Sequence, residues 1–247
     1  APAYATGEVQ AEEQVPITGE VPTTATDLAM PAPSAPNGFS PMNAPRLEEL
    51  GPSASHAFTP GEMSGPFNLS AEGLALSVNG ELLARMPGLL AVVGSVEATP
   101  ENRRSRGRTT EQPFGEAEDQ LQRVTGAGVI HLDPGGFTYQ AIDLADEGAY
   151  VREERVFAFE EAVAFENARL TGTGNIGVDV VHLKGQGKVL LKLDGALKAM
   201  AIPPGTPLKV PLARLVGWYG YVSVRVMGFV GQGAVELTGD GYVLLAA

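Results

Sequence analysis

Gly172-Thr173-Gly174-Asn175-Ile176-Gly177 has the Gly-x-Gly-x-x-Gly spelling that cradles dinucleotide phosphates. That chemistry needs a helix to start at the loop, so that its first N–H groups point at the pyrophosphate. Here the next residues, Val178-Asp179-Val180-Val181-His182-Leu183, alternate like a strand. The glycines therefore read as points where strands bend or approach closely, which a Cβ would obstruct. The three histidines, His56, His131 and His182, have no spacing that brings two of them together, so no metal site is expected. Glu153-Glu154 and Glu160-Glu161 are adjacent pairs, and strand alternation sends adjacent side chains to opposite faces. An acid/base couple needs both carboxylates on one cleft, so these read as solvated. No nucleophile elbow or zinc-protease helix is spelled anywhere. The expectation is a protein that is not an enzyme, with no catalytic residue, no cofactor and no metal.

The run Trp218-Tyr219-Gly220-Tyr221-Val222-Ser223-Val224-Arg225-Val226 carries more information. Period two puts Trp218, Val222, Val224 and Val226 inward and Tyr219, Tyr221, Ser223 and Arg225 outward. Two tyrosines and an arginine on one outer face are residue types that dominate protein–protein contact energy. Either they meet a partner or another layer of the same domain covers them. Lys188 and Lys192 join the candidate interaction surface because charge divides along the chain. Residues 126–184 carry ten acidic and four basic side chains, and residues 185–247 three acidic and six basic. Opposite net charges (−6 and +3) favour head-to-tail packing of copies into a ring or filament, unless the two halves neutralise each other within one chain.

The elements that would position these residues repeat. Gly126-x-Gly128 recurs as Gly185-x-Gly187, and Gly172-x-Gly174 as Gly231-x-Gly233, each 59 residues on. The same shift lays Phe159 on Trp218, Val163 on Val222, Phe165 on Val224 and Leu170 on Phe229. One offset shared by four glycine pairs and four apolar positions argues for a duplicated unit, with copies near 126–184 and 185–243. Short alternating runs joined by Gly, Pro and Asp-Gly turns predict an all-β fold, a β-sandwich built from two pseudo-repeated units. Asn79-Gly80 is expected to turn a hairpin between Leu74–Val78 and Glu81–Arg85, with a further strand over Leu89–Val93. Residues 94–122 break the pattern. Arg103, Arg104, Arg106 and Arg108 precede Glu111, Glu116, Glu118 and Asp119, which reads as a solvated, mobile excursion with self-compensating charge. The alternative is an anion or membrane-surface contact by the four arginines.

Of 247 residues, 1–66 hold eleven of the nineteen prolines and a net charge of −7, with scarcely any apolar periodicity. Such a Pro/Ala/Thr-rich acidic stretch buries too little to offset its entropy and reads as a disordered or extended linker, here to an upstream partner domain. The remaining residues, 67–247, suffice for one domain with a real core. A net charge of −12 repels phosphates and argues against a nucleic-acid partner. Zero cysteines fit a reducing compartment, so a cytoplasmic location is expected. No apolar run reaches the ~18 residues of a transmembrane segment, which leaves peripheral membrane contact open.

Several of these stretches resemble the altered inheritance of mitochondria protein 24 family. They are Leu89-Leu90-Ala91-Val92-Val93-Gly94-Ser95-Val96, Gly126-Ala127-Gly128, Val151-Arg152, Val156-Phe157-Ala158-Phe159, Gly185-Gln186-Gly187-Lys188-Val189-Leu190-Leu191, Leu215-Val216-Gly217-Trp218 and Val230-Gly231-Gln232-Gly233-Ala234-Val235-Glu236-Leu237. The likeness covers about residues 67–247. It implies a β-sandwich grouped with the tryptophan RNA-binding attenuator protein and often seen as cyclic oligomers, with mitochondrial relatives linked to inner-membrane organisation. It supplies no catalytic residues, and neither tryptophan nor RNA carries over, because the binding residues are not among the matching motifs. The linker and the Arg-rich excursion depart from the family pattern. The functional expectation is a non-enzymatic binding or scaffold module that self-associates. The alternative is a small-ligand-binding regulatory domain with a pocket between its sheets.

Overall fold

Period-two patterning over most of the chain resolves into sixteen strands among the described residues, which in the computed structural model are 65–70, 73–144, 148–172 and 176–247. All but the last two residues of the expected linker, and Gly174 of the repeated glycine pairs, lie outside them. The strands are β1 (Phe67–Leu69), β2 (Leu74–Ala84), β3 (Leu89–Pro100), β4 (Asn102–Ser105), β5 (Arg108–Pro113), β6 (Gln122–Leu132), β7 (Thr138–Asp143) and β8 (Ala149–Arg152). They continue as β9 (Val156–Glu160), β10 (Val163–Thr171), β11 (Gly177–Gly185), β12 (Lys188–Leu193), β13 (Leu197–Ala201), β14 (Leu208–Pro211), β15 (Leu215–Phe229) and β16 (Gln232–Ala246). The fold is all-β. Its helical content among these residues is two single 3-10 turns, at Ala117–Asp119 and Glu153–Arg155.

Two seven-stranded antiparallel sheets form. The first runs β3-β6-β2-β9-β12-β7 with β1 on β2, and the second β10-β11-β8-β15-β16-β13 with β14 on β16. Between them Phe159, Val189 and Leu191 of the first sheet meet Phe165, Leu183 and Val216 of the second in one sealed cluster. Each sheet also buries its other face. Leu76, Ile130 and Phe157 belong to a core made by the first sheet alone, and Val180, Trp218 and Leu237 to one on the second. A sheet can bury its own far face only by bending back over it, and glycines supply the bends.

Those bends are built three times. β3 with β6, β9–β10 with β11–β12, and β15 with β16 are long antiparallel ladders of one construction. In each, a Gly-x-Gly on the returning strand faces a triplet ending in valine on the outgoing strand. Val96 pairs with Gly126, Val163 with Gly185 and Val222 with Gly239. At Gly126 an added Cβ would lie 2.1 Å from the Ser95 carbonyl oxygen, and at Gly239 it would lie 2.1 Å from that of Tyr221. Both glycines hold positive φ, +120° and +125°, which L side chains rarely adopt. Each outgoing strand also carries one extra residue at the same distance before its triplet, namely Leu90, Phe157 and Val216. Such bulges sharpen the local twist.

A short strand links each bend to the next ladder. On β2, Leu82-Leu83-Ala84 pairs with Val124, Arg123 and Gln122 on one side and with Glu160, Phe159 and Ala158 on the other. On β8, Ala149-Tyr150-Val151 pairs with Leu183, His182 and Val181 and with Tyr219, Trp218 and Gly217.

Three expectations are corrected. Asn79-Gly80 does not turn a hairpin: β2 passes straight through it, because β6 supplies an eleven-residue partner and Gly80, at φ +103°, absorbs the bend opposite Gly126. The strand expected to end at Val93 continues to Pro100. The Arg-rich excursion is an ordered β4–β5 hairpin rather than a solvated loop, for reasons of side-chain pairing given below.

Candidate interaction surface

The five residues singled out from sequence sit on two different sheets. Tyr221 and Arg225 lie on β15, and Tyr221 is 91 % exposed. Arg225 donates to Glu236 at 2.8 Å across the β15–β16 ladder. Tyr219 is half-covered rather than fully outward: its ring stacks on Tyr242 at 5.2 Å and packs against the central core. Lys188 and Lys192 belong to β12 of the first sheet. Lys188 is exposed, and its backbone N–H donates to Glu160 at 2.6 Å. Lys192 is largely covered, with its ammonium 4.2 Å from the Phe137 ring centre and 3.8 Å from Asp119. Tyr221 and Tyr219 thus share a strand, while Lys192 belongs to different surroundings.

Among the described residues, four exposed large apolar side chains fall together on β3. At the edge of the first sheet, Leu89 is 50 %, Leu90 64 %, Val92 45 % and Val93 49 % exposed. Most of the equivalent residues of the other two ladders are sealed, with Phe157, Phe159 and Val216 at 0 % and Trp218 at 3 %, while Glu160 and Tyr219, the counterparts of Val93, are half-buried. Phe159 packs against Phe165 of the second sheet, ring centres 5.5 Å apart, and Trp218 stacks on Tyr150 at 5.3 Å; each also has a strand at its side, β2 beside β9 and β8 beside β15. Beside β3 there is no such neighbour among the described residues. An apolar edge with no strand on its outer side is a template for another strand. The signal that could have found it is the bulge and glycine register shared by Leu89–Val96, Val156–Val163 and Leu215–Val222.

An edge of the second sheet, β10, is guarded. The β4–β5 arm lies on it, with the Arg104 N–H donating to Asn167 Oδ1 at 3.0 Å and the Gly107 N–H to Glu166 at 2.8 Å. Arg103 pairs with Glu153 at 2.8 Å and approaches Asp179 at 3.7 Å, and Arg104 lies 4.5 Å over the Phe165 ring. Glu153, expected to be solvated, is buried in its 3-10 turn and also accepts from Asn167 at 3.1 Å. Behind it Arg85 is buried, donating to the carbonyls of Val156 (2.6 Å) and Glu153 (2.8 Å). Burial pulls its pKa below the ordinary arginine value, against the pull of Asp119 and Glu153. Of the four arginines, Arg103 and Arg104 are thus engaged by this chain, whereas Arg106 and Arg108 face solvent.

His182, Tyr150 and Trp218 are cross-strand neighbours on β11, β8 and β15, and their rings stack at 4.3 and 5.3 Å. Burial, helped by Lys184, lowers the His182 pKa against an opposing contribution from Glu166. Among the described residues no cluster of three or more His, Asp or Glu could hold a metal. No helix there is long and apolar enough to cross a membrane. A cavity of about 260 Å³ opens between the sheets, lined by Ile142, Leu144, Ala149, Tyr219 and Leu244.

No protein-family profile and no curated protein matches the sequence. Among solved structures, the chain is similar in fold to the crystal structure of protein SPYM3_0169 from Streptococcus pyogenes, determined by a structural genomics consortium. The TM-score is 0.55 at 16 % identity, over 73 % of this chain and 91 % of that one. At this identity the likeness establishes a shared β-rich fold.

Proposed function

We propose that this chain is a non-enzymatic scaffold module that binds copies of itself. One observation carries the reading: an apolar strand edge, Leu89–Val93, lies open where the two equivalent edges are closed by strands. Monomeric proteins seldom leave such an edge unguarded. Tyr221 adds an exposed aromatic on the other sheet. The motif resemblance to the altered inheritance of mitochondria protein 24 family, in which cyclic oligomers are common, points the same way, as does the acidic-then-basic division of the chain. The repeated ladder construction fits a chain made of duplicated units.

Light scattering on the purified chain tests the reading. A mass that is a multiple of the chain's is expected at micromolar concentration, falling on dilution. A monomer throughout that range overturns it. A second reading, a small-ligand-binding regulatory domain, draws on the cavity between the sheets beside Tyr219. A rise in melting temperature with one member of a metabolite panel, abolished by filling the cavity with Ala149→Leu, would favour it. No shift across the panel would count against it.

A further inference from the structure

We infer that strand β14 of one copy adds to the open edge of β3 on a second copy, head to tail, with Leu208 opposite Val93, Lys209 opposite Val92 and Val210 opposite Ala91. The inference rests on the self-association proposed above and specifies its site, direction and register.

Both closed junctions obey one rule. The linking strand has its first residue, Leu82 or Ala149, opposite the residue two before the paired glycine (Val124 before Gly126, Leu183 before Gly185). Its other side sets that same residue opposite the one three before the valine (Glu160 before Val163, Tyr219 before Val222). β14 meets the first half of the rule, since Leu208 pairs with Leu237, two before Gly239, and Lys209 and Val210 follow with Glu236 and Val235. Its second side has no strand beside it among the described residues. β3 meets the other half, because Val93 stands three before Val96 and its outer edge is bare. The chain therefore carries one unfilled donor and one unfilled acceptor of a junction it builds twice within itself. They belong to different sheets, and the exposure of Leu89–Val93 shows that this chain's own β14 does not reach them. A donor and an acceptor that differ make a heterologous contact, which propagates into a ring or a filament.

The chemistry of the two strands fits. Leu89–Val96 carries no charge, and the donor's only charge, Lys209, already approaches Glu236 of its own chain at 3.8 Å, so like charges are not set opposite each other. In the second closed junction the middle pair, Tyr150 and Trp218, stacks at 5.3 Å, so middle residues of this register face each other. Pro211 follows Val210 directly and cannot donate to a ladder, which opposes a slide of the register in that direction.

The chain has no cysteine, so engineered thiols report without background. Directly opposed residues in an antiparallel pair have Cα atoms about 4.5–5.5 Å apart, within disulfide range. Full-length Val92→Cys and Lys209→Cys variants, mixed and oxidised, should give a covalent dimer containing one of each. Neither variant oxidised alone should do so, and the double variant should give a ladder of multimers. A dimer from Val92→Cys alone would mean that β3 pairs with itself and would overturn the inference, as would an internally cross-linked monomer from the double variant. Val92→Lys, on an exposed position, should yield a monomer with unchanged Trp218 fluorescence and the melting temperature of wild type diluted until it is monomeric. If the wild type is an oligomer but Val92→Lys leaves it so and no mixed dimer forms, self-association stands and this site falls. If the wild type is itself a monomer, the self-association reading fails, and this site with it.

Discussion

Phe159 and Val92 occupy the same place on the outgoing strands of two similar ladders, each four residues before the valine that faces a bend glycine. Phe159 lies beside β2 and against Phe165 of the second sheet and is sealed, whereas Val92 lies at an edge and remains half-exposed. Backbone construction is shared, so the difference comes from the neighbour, and the side chains follow it. Beneath a neighbour stand a phenylalanine and, in the third ladder, a tryptophan. At the edge stands a valine, large enough to contribute area to an incoming strand yet small enough to leave that edge accessible.

The comparison can be broken at its strongest point. Phe159→Ala should cost about 3–5 kcal/mol in guanidinium denaturation, the range for emptying a buried aromatic site. Val92→Ala should change the stability of the unit by no more than about 0.5 kcal/mol, as surface positions do. Equal costs at the two sites, measured where the chain is monomeric, would mean that Val92 is covered within its own chain. The bends offer an intermediate test. Gly239→Ala places a Cβ 2.1 Å from the Tyr221 carbonyl oxygen at φ +125°, and a cost of about 1–3 kcal/mol is expected from that strain. Gly80→Ala meets nothing within 4 Å at φ +103°, so only the backbone term of about 1–2 kcal/mol applies. If Gly80 proves the costlier site, close approach is not what the glycines serve.

The smallest effect separates the closed junctions from each other. His182 holds the place on β11 that Arg123 holds on β6, facing the middle residue of its linking strand. Burial keeps its folded pKa below the ordinary 6.5, so the unfolded chain takes up the proton first. Its contribution to stability is therefore complete above about pH 6.5 and is lost as pH falls from there toward the folded pKa. Melting temperatures measured from pH 7.5 to 5 should decline less steeply in His182→Gln than in the wild type. Identical slopes would remove His182 from the balance.

Much of this architecture was legible because glycine at a bend cannot be exchanged freely. Gly126 and Gly185 share an offset in sequence and a place opposite Val96 and Val163 in space, and the 59-residue shift laid Phe159 on Trp218 for the same reason. The ladder holding Leu89–Val96 is hard to read in sequence because twenty-one residues, 101–121, separate its two strands, whereas two residues separate β15 from β16. Asn79-Gly80 misled because turn chemistry is local, while the eleven-residue partner β6 is not. Pairing of Arg103 with Glu153, fifty residues away, likewise could not be read from a run of like charges. Of the expected surface residues, Tyr221 stood out through simple alternation. Lys192 did not behave as expected, since its cover comes from Phe137, just before the strand that pairs beside it.

The order in which these strands are made has its own consequence. Leu83 is synthesised 76 residues before Phe159, the residue it will pair with (159 − 83), and Tyr150 is synthesised 68 before Trp218 (218 − 150). At roughly 5–20 residues per second, β2 waits about 4–15 s on the ribosome before the ladder that will cover it emerges. During that interval its apolar side chains are within reach of nascent chains on neighbouring ribosomes. A polysome translating this message would bring copies of the polypeptide together before any of them is complete.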